Sequence, residues 1–137
     1  MELADTSAWR WRHRRPELTR EFDRRVRQGE IATCRPVALE LLFSALDAAD
    51  FERTRDGLDV LRDLPLRRRE WDRATDVMQT LAERGPLHHR EVPYADLLIA
   101  AAAEAAEVPV LHYDRHFDLI AEITGQPVHA LAPPGSL

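Results

Sequence analysis

The stretch Val108-Pro109-Val110-Leu111-His112-Tyr113-Asp114-Arg115-His116-Phe117-Asp118 decides the fold class. Its first part, 108–113, is a short apolar run that reads as a strand. Its second part turns polar at Asp114 and continues as a helix over about 117–124, stopped by Gly125. An acid thus stands directly past a strand. The N-terminus repeats the pattern, because Leu3-Ala4 is a brief apolar strand that ends in Asp5-Thr6-Ser7, small oxygen-bearing residues suited to a strand-to-helix turn. Outward from these two units, Ile31-Ala32-Thr33 and the run 127–131 read as further strands, with Leu64-Pro65-Leu66 as a brief strand or connector. Between them lie a charged helix from Pro16 to Gly29 with Phe22 and Val26 on one face, and an apolar helix from Pro36 through Leu46, expected to be largely buried. Helices then follow over 51–64, 69–84 and 94–107. In the second of these, Trp71, Ala74, Val77, Met78 and Leu81 recur at helical spacing, and Trp71 and Met78 are expected in the core. The third carries Leu97-Leu98-Ile99 and many alanines, which permit close packing on a sheet. Short apolar strands separated by helices imply an α/β fold whose parallel sheet is covered on both faces, with the functional crevice beyond the carboxyl ends of the strands.

A chain of 137 residues with 45% apolar content suits one domain, expected over 1–132, with a flexible tail at 133–137 around Pro133-Pro134-Gly135. The start of the sequence lacks a signal-peptide pattern, and no stretch approaches the roughly 20 apolar residues of a membrane span, so a cytoplasmic protein without membrane contact is expected. Cys34 is the only cysteine and has no partners at zinc spacing, which excludes disulfide scaffolds and zinc fingers and leaves a reduced, partly buried side chain. The net charge of −5 argues against nucleic-acid binding by the molecule as a whole. Its distribution argues otherwise, since eight arginines (10, 12, 14, 15, 20, 24, 25, 27) face only Glu17, Glu21 and Asp23 in that segment. A second cluster, Arg67, Arg68, Arg69 and Arg73, reads as a solvated helix face.

Four acids stand out by position. Asp5 and Asp114 follow strands, and Glu40 and Asp96 sit in the early turns of apolar helices, where a charge is costly without a partner. An acid in a first helical turn also complements the helix dipole, so any one of the four has a plain structural reading. Together they would meet in one cleft at the sheet edge. Packed carboxylates raise one another's pKa, and a divalent cation relieves this. An oxygen-only set favours Mg²⁺ or Mn²⁺ over zinc, and such an ion polarises a phosphodiester, activates water and stabilises the leaving oxygen.

Asp5-Thr6-Ser7-Ala8-Trp9, Val37-Ala38-Leu39-Glu40-Leu41-Leu42, Tyr94-Ala95-Asp96-Leu97-Leu98-Ile99-Ala100 and the stretch 111–118 together resemble the PIN-domain toxins of the VapC type, in the family's order and spacing over nearly the whole chain. The resemblance implies a three-layer α/β/α sandwich with a short central parallel sheet and an acidic quartet, Asp5, Glu40, Asp96 and Asp114, on Mg²⁺ or Mn²⁺. It also implies endoribonuclease activity on tRNA, rRNA or mRNA with a 5′-phosphate product, a cognate antitoxin, a homodimer and type II toxin–antitoxin function. Asp118 matches a further acidic position, and Ser7 or Thr6 the hydroxyl that supports the first aspartate. Two departures, Ala4 for a bulkier aliphatic residue and His112-Tyr113 where Thr or Ser often precedes the fourth acid, alter the rim of the site without removing a carboxylate.

Arg10, Arg12, Arg14 and Arg15 are candidates to grip RNA phosphates, against the alternative of a salt-bridged surface. Trp9 and Trp11 read as core or dimer contacts before base-stacking residues. His88-His89 reads as an exposed loop pair, and His112 and His116, beside Asp114, as residues without an acid–base role. A phosphatase built on Asp5 as nucleophile is disfavoured by the absence of a second Asp two residues on and of any lysine. A non-catalytic PIN domain that binds RNA or protein is the remaining alternative, weakened by the presence of all four acids.

Overall fold

Strands of two or three residues alternate with helices along the computed structural model, which describes residues 1–137. The elements are β1 (Glu2–Ala4), α1 (Thr6–Trp11), α2 (Pro16–Arg27), β2 (Ile31–Thr33), α3 (Arg35–Phe43), α4 (Ala48–Asp59), β3 (Arg62–Asp63), α5 (Arg68–Glu83), α6 (Tyr94–Ala105), β4 (Val110–His112), α7 (Arg115–Thr124) and β5 (Val128–Ala130). The strands form one parallel sheet in the order β3-β2-β1-β4-β5. The chain therefore leaves β1 toward β2 and β3, then returns to lay β4 on the other side of β1, which makes the β1/β4 boundary the topological switch point.

The period-two alternation of a strand sends neighbouring residues to opposite faces. Leu3, Ala32 and Val110 join the larger core with residues of α3, α5, α6 and α7, including Val37, Val77, Leu81, Ile99, Phe117 and Ile120. Ala4, Ile31 and Leu111 face the other way, onto Ala8 of α1 and Phe22 of α2. Helices thus cover both faces, and the fold is the three-layer α/β sandwich expected. Helix α6 lies deepest, with every residue from Asp96 to Ala103 buried. Its small side chains let it approach the sheet and α5 closely, which a larger side chain would prevent.

Several elements differ from the sequence reading. The apolar helix through Leu46 is not largely buried: α3 ends at Phe43, only Val37 in it is fully buried, and Leu39, Phe43 and Leu46 are 68%, 91% and 92% exposed. A nine-residue helix that is apolar on all sides can turn only one side to a sheet, and nothing covers the rest. The expected helix over 51–64 is α4, which stops at Asp59, and the edge strand falls at Arg62–Asp63 rather than at Leu64–Leu66. Trp71 is not a core residue but 53% exposed, because it lies about a quarter turn from the stripe centred on Ala74, Val77 and Leu81. Met78, nearer that stripe, packs against the core from its margin. His88 and His89 are half-buried in a short 3-10 turn rather than exposed. Cys34 is fully buried, and burial pushes its thiol up to about 12, so it is inert. In the terminal segment Pro133, Pro134 and Gly135 are exposed, while Ser136 O accepts from Arg15 at 2.6 Å and Leu137 N donates to the Tyr113 hydroxyl at 2.9 Å. No helix is long and apolar enough to cross a membrane.

The tight seat of α6 is open to test by urea unfolding. Ala102→Leu, at a position 1% exposed, is expected to lower stability by about 1–3 kcal/mol, whereas Ala105→Leu on the exposed end of the same helix stays within about 0.5 kcal/mol of the parent.

Candidate active site

The four acids come from four different elements and meet at the carboxyl end of the sheet beside the switch point. Asp5 leaves β1 and caps α1; its Oδ2 accepts from Ser7 N at 2.9 Å and from Ser7 Oγ at 2.6 Å. Ser7 Oγ in turn accepts from Tyr113 N at 2.9 Å, so a hydroxyl ties the first acid to the end of β4. Asp114 leaves β4 and caps α7, with Oδ1 accepting from His116 N at 3.0 Å. Its own N–H donates to His112 Nδ1 at 3.1 Å. Asp96 lies buried in the first turn of α6, and Glu40 half-buried in the second turn of α3.

No arginine pairs with any of the four, although the chain carries nineteen; the only ion-pair partner near Asp96 and Asp114 is His116, whose Nδ1 lies 3.1 Å from Asp96 Oδ2 and 3.1 Å from Asp114 Oδ1. Asp5 Oδ1 and Glu40 Oε1 are buried without a hydrogen-bond partner. Burial is the largest influence on three of these groups. It pushes Asp5 above the ordinary carboxylate range against the lowering effect of the Ser7 hydrogen bonds. It raises Glu40, helped by the charge of Asp5 and opposed by Arg10. It raises Asp96 to about 8, with the charges of Asp5, Asp114 and Glu40 adding to the shift in that order. Beyond His116 and the charge of Arg10 acting on Glu40, the cluster has no counter-charge, and its oxygen donors suit a hard divalent cation.

The flanking residues divide. Ser7 is the hydroxyl that holds Asp5, whereas the buried Thr6 Oγ1 does not bond to Asp5 and acts instead on Glu40. Asp118 is exposed and stands beside His112, its Oδ1 3.6 Å from Nε2, outside the group formed by the four acids. His112 is buried, and burial holds its pKa below the ordinary value, so the ring is neutral and serves to fix the Asp114 backbone. Arg10 is exposed at the rim, donates to Ser44 Oγ at 3.1 Å and acts on Glu40. Arg12 is used in packing, its guanidinium 5.0 Å from the Trp9 ring centroid and 5.4 Å from that of Phe22. Arg14 lies over Trp11, and Arg15 holds Ser136. Trp9 packs edge-on against Phe22 as an internal contact, and Trp11 tilts against Tyr113 at 5.1 Å beside Asp114. The sequence reading left His116 without a role. The signal available was its place two residues past Asp114, where a capped first turn folds the side chain back toward the cap.

The raised Asp96 has a measurable consequence. An unfolded aspartate releases its proton near pH 3.8, whereas the folded, metal-free protein retains it up to about 8. The folded state binds more protons across that window, so this contribution to stability is complete below about pH 4 and lost as pH rises toward 8. In thermal unfolding with chelator at pH 8, Asp96→Asn is expected to melt about 3–8 °C above the parent, with the difference shrinking toward pH 4; equal melting temperatures at pH 8 would show that the cluster is not strained.

Residues 3–123 match the family model described as the PIN domain. The chain is 43% identical over 133 residues to ribonuclease VapC18 of Mycobacterium tuberculosis (strain ATCC 25618 / H37Rv), which spans 97% of this chain and 96% of that relative. It is 34% identical over 138 residues to ribonuclease VapC21 of Mycobacterium tuberculosis (strain CDC 1551 / Oshkosh), with 98% and 96% covered. Its fold superposes on a toxin-antitoxin complex from Klebsiella pneumoniae with a TM-score of 0.71 at 16% identity, covering 96% of this chain and 98% of that one. With matches of this extent in sequence and in fold, the chain belongs to the PIN-domain family, among the VapC ribonucleases.

Proposed function

We propose that this protein is a metal-dependent endoribonuclease, the toxin of a type II toxin–antitoxin pair, with Asp5, Glu40, Asp96 and Asp114 as its acidic centre. The observation that carries the reading is the convergence of four carboxylates from four elements with no arginine among them and with buried oxygens left unpartnered. Such a donor set fits Mg²⁺ or Mn²⁺, held by Asp5, Asp96 and Asp114 with Glu40 as a direct ligand or as the group that orients water. When bound, the ion supplies the positive charge that polarises a phosphodiester and makes an attacking water more acidic. The chain's own residues supply position. Ser7 holds Asp5 Oδ2, which leaves Oδ1 to face the centre, and the cap of α7 fixes Asp114 through Oδ1. Glu40, kept protonatable by burial, is placed to accept a proton from water. Exposed Arg10, Arg14 and Arg15 at the rim offer phosphate contacts that would place RNA across the cleft.

Partners belong to the same proposal. A groove of about 410 Å³ beside the site is lined by Trp9, Val26, Leu41 and Leu58 and opens next to the exposed Phe43 and Leu46. An apolar surface of this kind requires cover, and an antitoxin segment fits it. The exposed Trp71 and Tyr94 border a second apolar hollow with Met78, Leu97 and Leu98, a surface for a second copy in a homodimer. The protein would act in the cytoplasm, where its RNA substrate is found.

Incubation of purified protein with total cellular RNA, followed by sequencing of fragment ends, tests the activity. Discrete cuts are expected with Mg²⁺ or Mn²⁺, none with chelator, and a loss of at least about 100-fold in Asp96→Asn or Asp5→Asn with the fold intact. Absence of cutting with either ion by the folded parent would favour the non-catalytic, binding form of the domain. Light scattering checks the pairing of copies, for which a mass twice that of the 15.7 kDa chain is expected and a monomeric mass counts against it.

A further inference from the structure

Of the side chains that reach the acidic centre, one is neither an acid nor a charge partner from a distant element. The imidazole of His116, 22% exposed, projects from the first turn of α7 between Asp96 of α6 and Asp114 at the end of β4. Its Nδ1, Asp96 and Asp114 each offer an atom, and the three atoms lie within 4.8 Å of one another. We propose that His116 is a nitrogen ligand of the metal centre, which makes it a mixed nitrogen–oxygen site that prefers Mn²⁺ to Mg²⁺. This rests on the reading of the four acids as a cation site.

Three features carry it. The first is spacing. Ligands about 2.1 Å from an octahedral ion and at right angles to each other stand about 3 Å apart. Nδ1 stands 3.1 Å from one carboxylate oxygen and 3.1 Å from the other, the separation of neighbouring ligands on one ion. The second is hydrogen count. An imidazole nitrogen carries at most one hydrogen, and Nδ1 has hydrogen-bond geometry toward Asp96 Oδ2 alone, so its equally short approach to Asp114 Oδ1 is made without a hydrogen between them. In the neutral ring with the hydrogen on Nε2, a lone pair would face two anions, an arrangement that a cation between the three resolves. The third is independent of the histidine: Asp5, 3% exposed, keeps a buried Oδ1 without a partner at the same centre, so the demand for a cation exceeds what one imidazole can meet. The ring is held in place by its own backbone, because His116 N donates to Asp114 Oδ1 and fixes the first turn of α7.

The preference for Mn²⁺ follows from ligand type. Magnesium takes oxygen donors and dehydrates reluctantly, whereas first-row transition ions accept imidazole readily. His112, the other histidine nearby, is excluded from the set because its Nδ1 accepts the Asp114 N–H and its Nε2 faces Asp118.

The test is pulsed electron paramagnetic resonance on the full chain loaded with one equivalent of Mn²⁺. Expected is electron spin-echo modulation from a directly bound ¹⁴N, replaced by the ¹⁵N pattern on uniform ¹⁵N labelling. It should be lost in His116→Ala and in the polar replacement His116→Gln, and kept in His112→Gln. Titration should show Mn²⁺ affinity at least about tenfold weaker in the His116 variants, with Mg²⁺ affinity changed less. The labelled parent answers the question even where a variant fails to fold. Mn²⁺ bound without nitrogen coupling overturns the His116 assignment, leaves the acidic centre standing and makes the ring a counter-charge beside it. No stoichiometric Mn²⁺ bound by the folded parent overturns both.

Discussion

The pairing of β1 with β4 is the contact on which the site depends. Leu3 pairs with Val110 and Ala4 with Leu111, and Asp5 N donates to Leu111 O at 2.9 Å, so the ladder extends to the residue that bears the first acid. Both strands then end at the same level of the sheet, and the next residue of each chain direction is a carboxylate or leads to one. Parallel pairing makes this possible, since it places both carboxyl ends on one edge, and the crossover to β2 and β3 and back leaves that edge open between α1 and α7.

Electrostatic strain is the counterpart of that geometry. Burial and mutual repulsion raise Asp5, Glu40 and Asp96 together, and the fold holds them there without an arginine paired to any of them, although the charge of Arg10 eases Glu40. It does so through short, local restraints. Two of the acids are helix caps, which fixes each carboxylate through one oxygen, Oδ2 of Asp5 and Oδ1 of Asp114. The Ser7 hydroxyl spans from Asp5 to Tyr113 N and so couples the two caps to one another. Helix α6, with its run of small buried residues, brings Asp96 up against them from the core side. The stability of the domain is thus spent partly on keeping like charges close, a feature typical of sites that bind cations.

The arginines have sorted by role rather than by number. Arg12 stacks on the Trp9 and Phe22 rings, Arg25 joins Glu2 and Glu30, and Arg73 makes a paired contact to Glu104 at 2.8 and 3.2 Å. These hold elements together. Arg10, Arg14 and Arg15 remain exposed and add local positive charge to a chain whose net charge is −5. The apolar side chains left outside, Phe43, Leu46 and Trp71 among them, are covered by nothing within this chain.

Sequence alone determined the alternation of strands and helices, the two strand-to-acid junctions at Asp5 and Asp114, and the family, because each rests on local pattern: a short apolar run, a polar turn residue, a helical repeat. It also placed Glu40 and Asp96 as charges out of keeping with their apolar helices. Only the tertiary structure decided which apolar residues are covered, as Leu39, Phe43 and Trp71 illustrate, since burial depends on what packs opposite and a helix pattern does not say which side will find a neighbour. It alone put Asp118 outside the acidic group, gave Ser7 rather than Thr6 the hold on Asp5, and set His116 at equal distance from Asp96 and Asp114. Those outcomes turn on distances of a few tenths of an ångström between elements far apart in the chain, 106 residues in the bond from Tyr113 N to Ser7 Oγ, and spacing along a sequence carries no such distance.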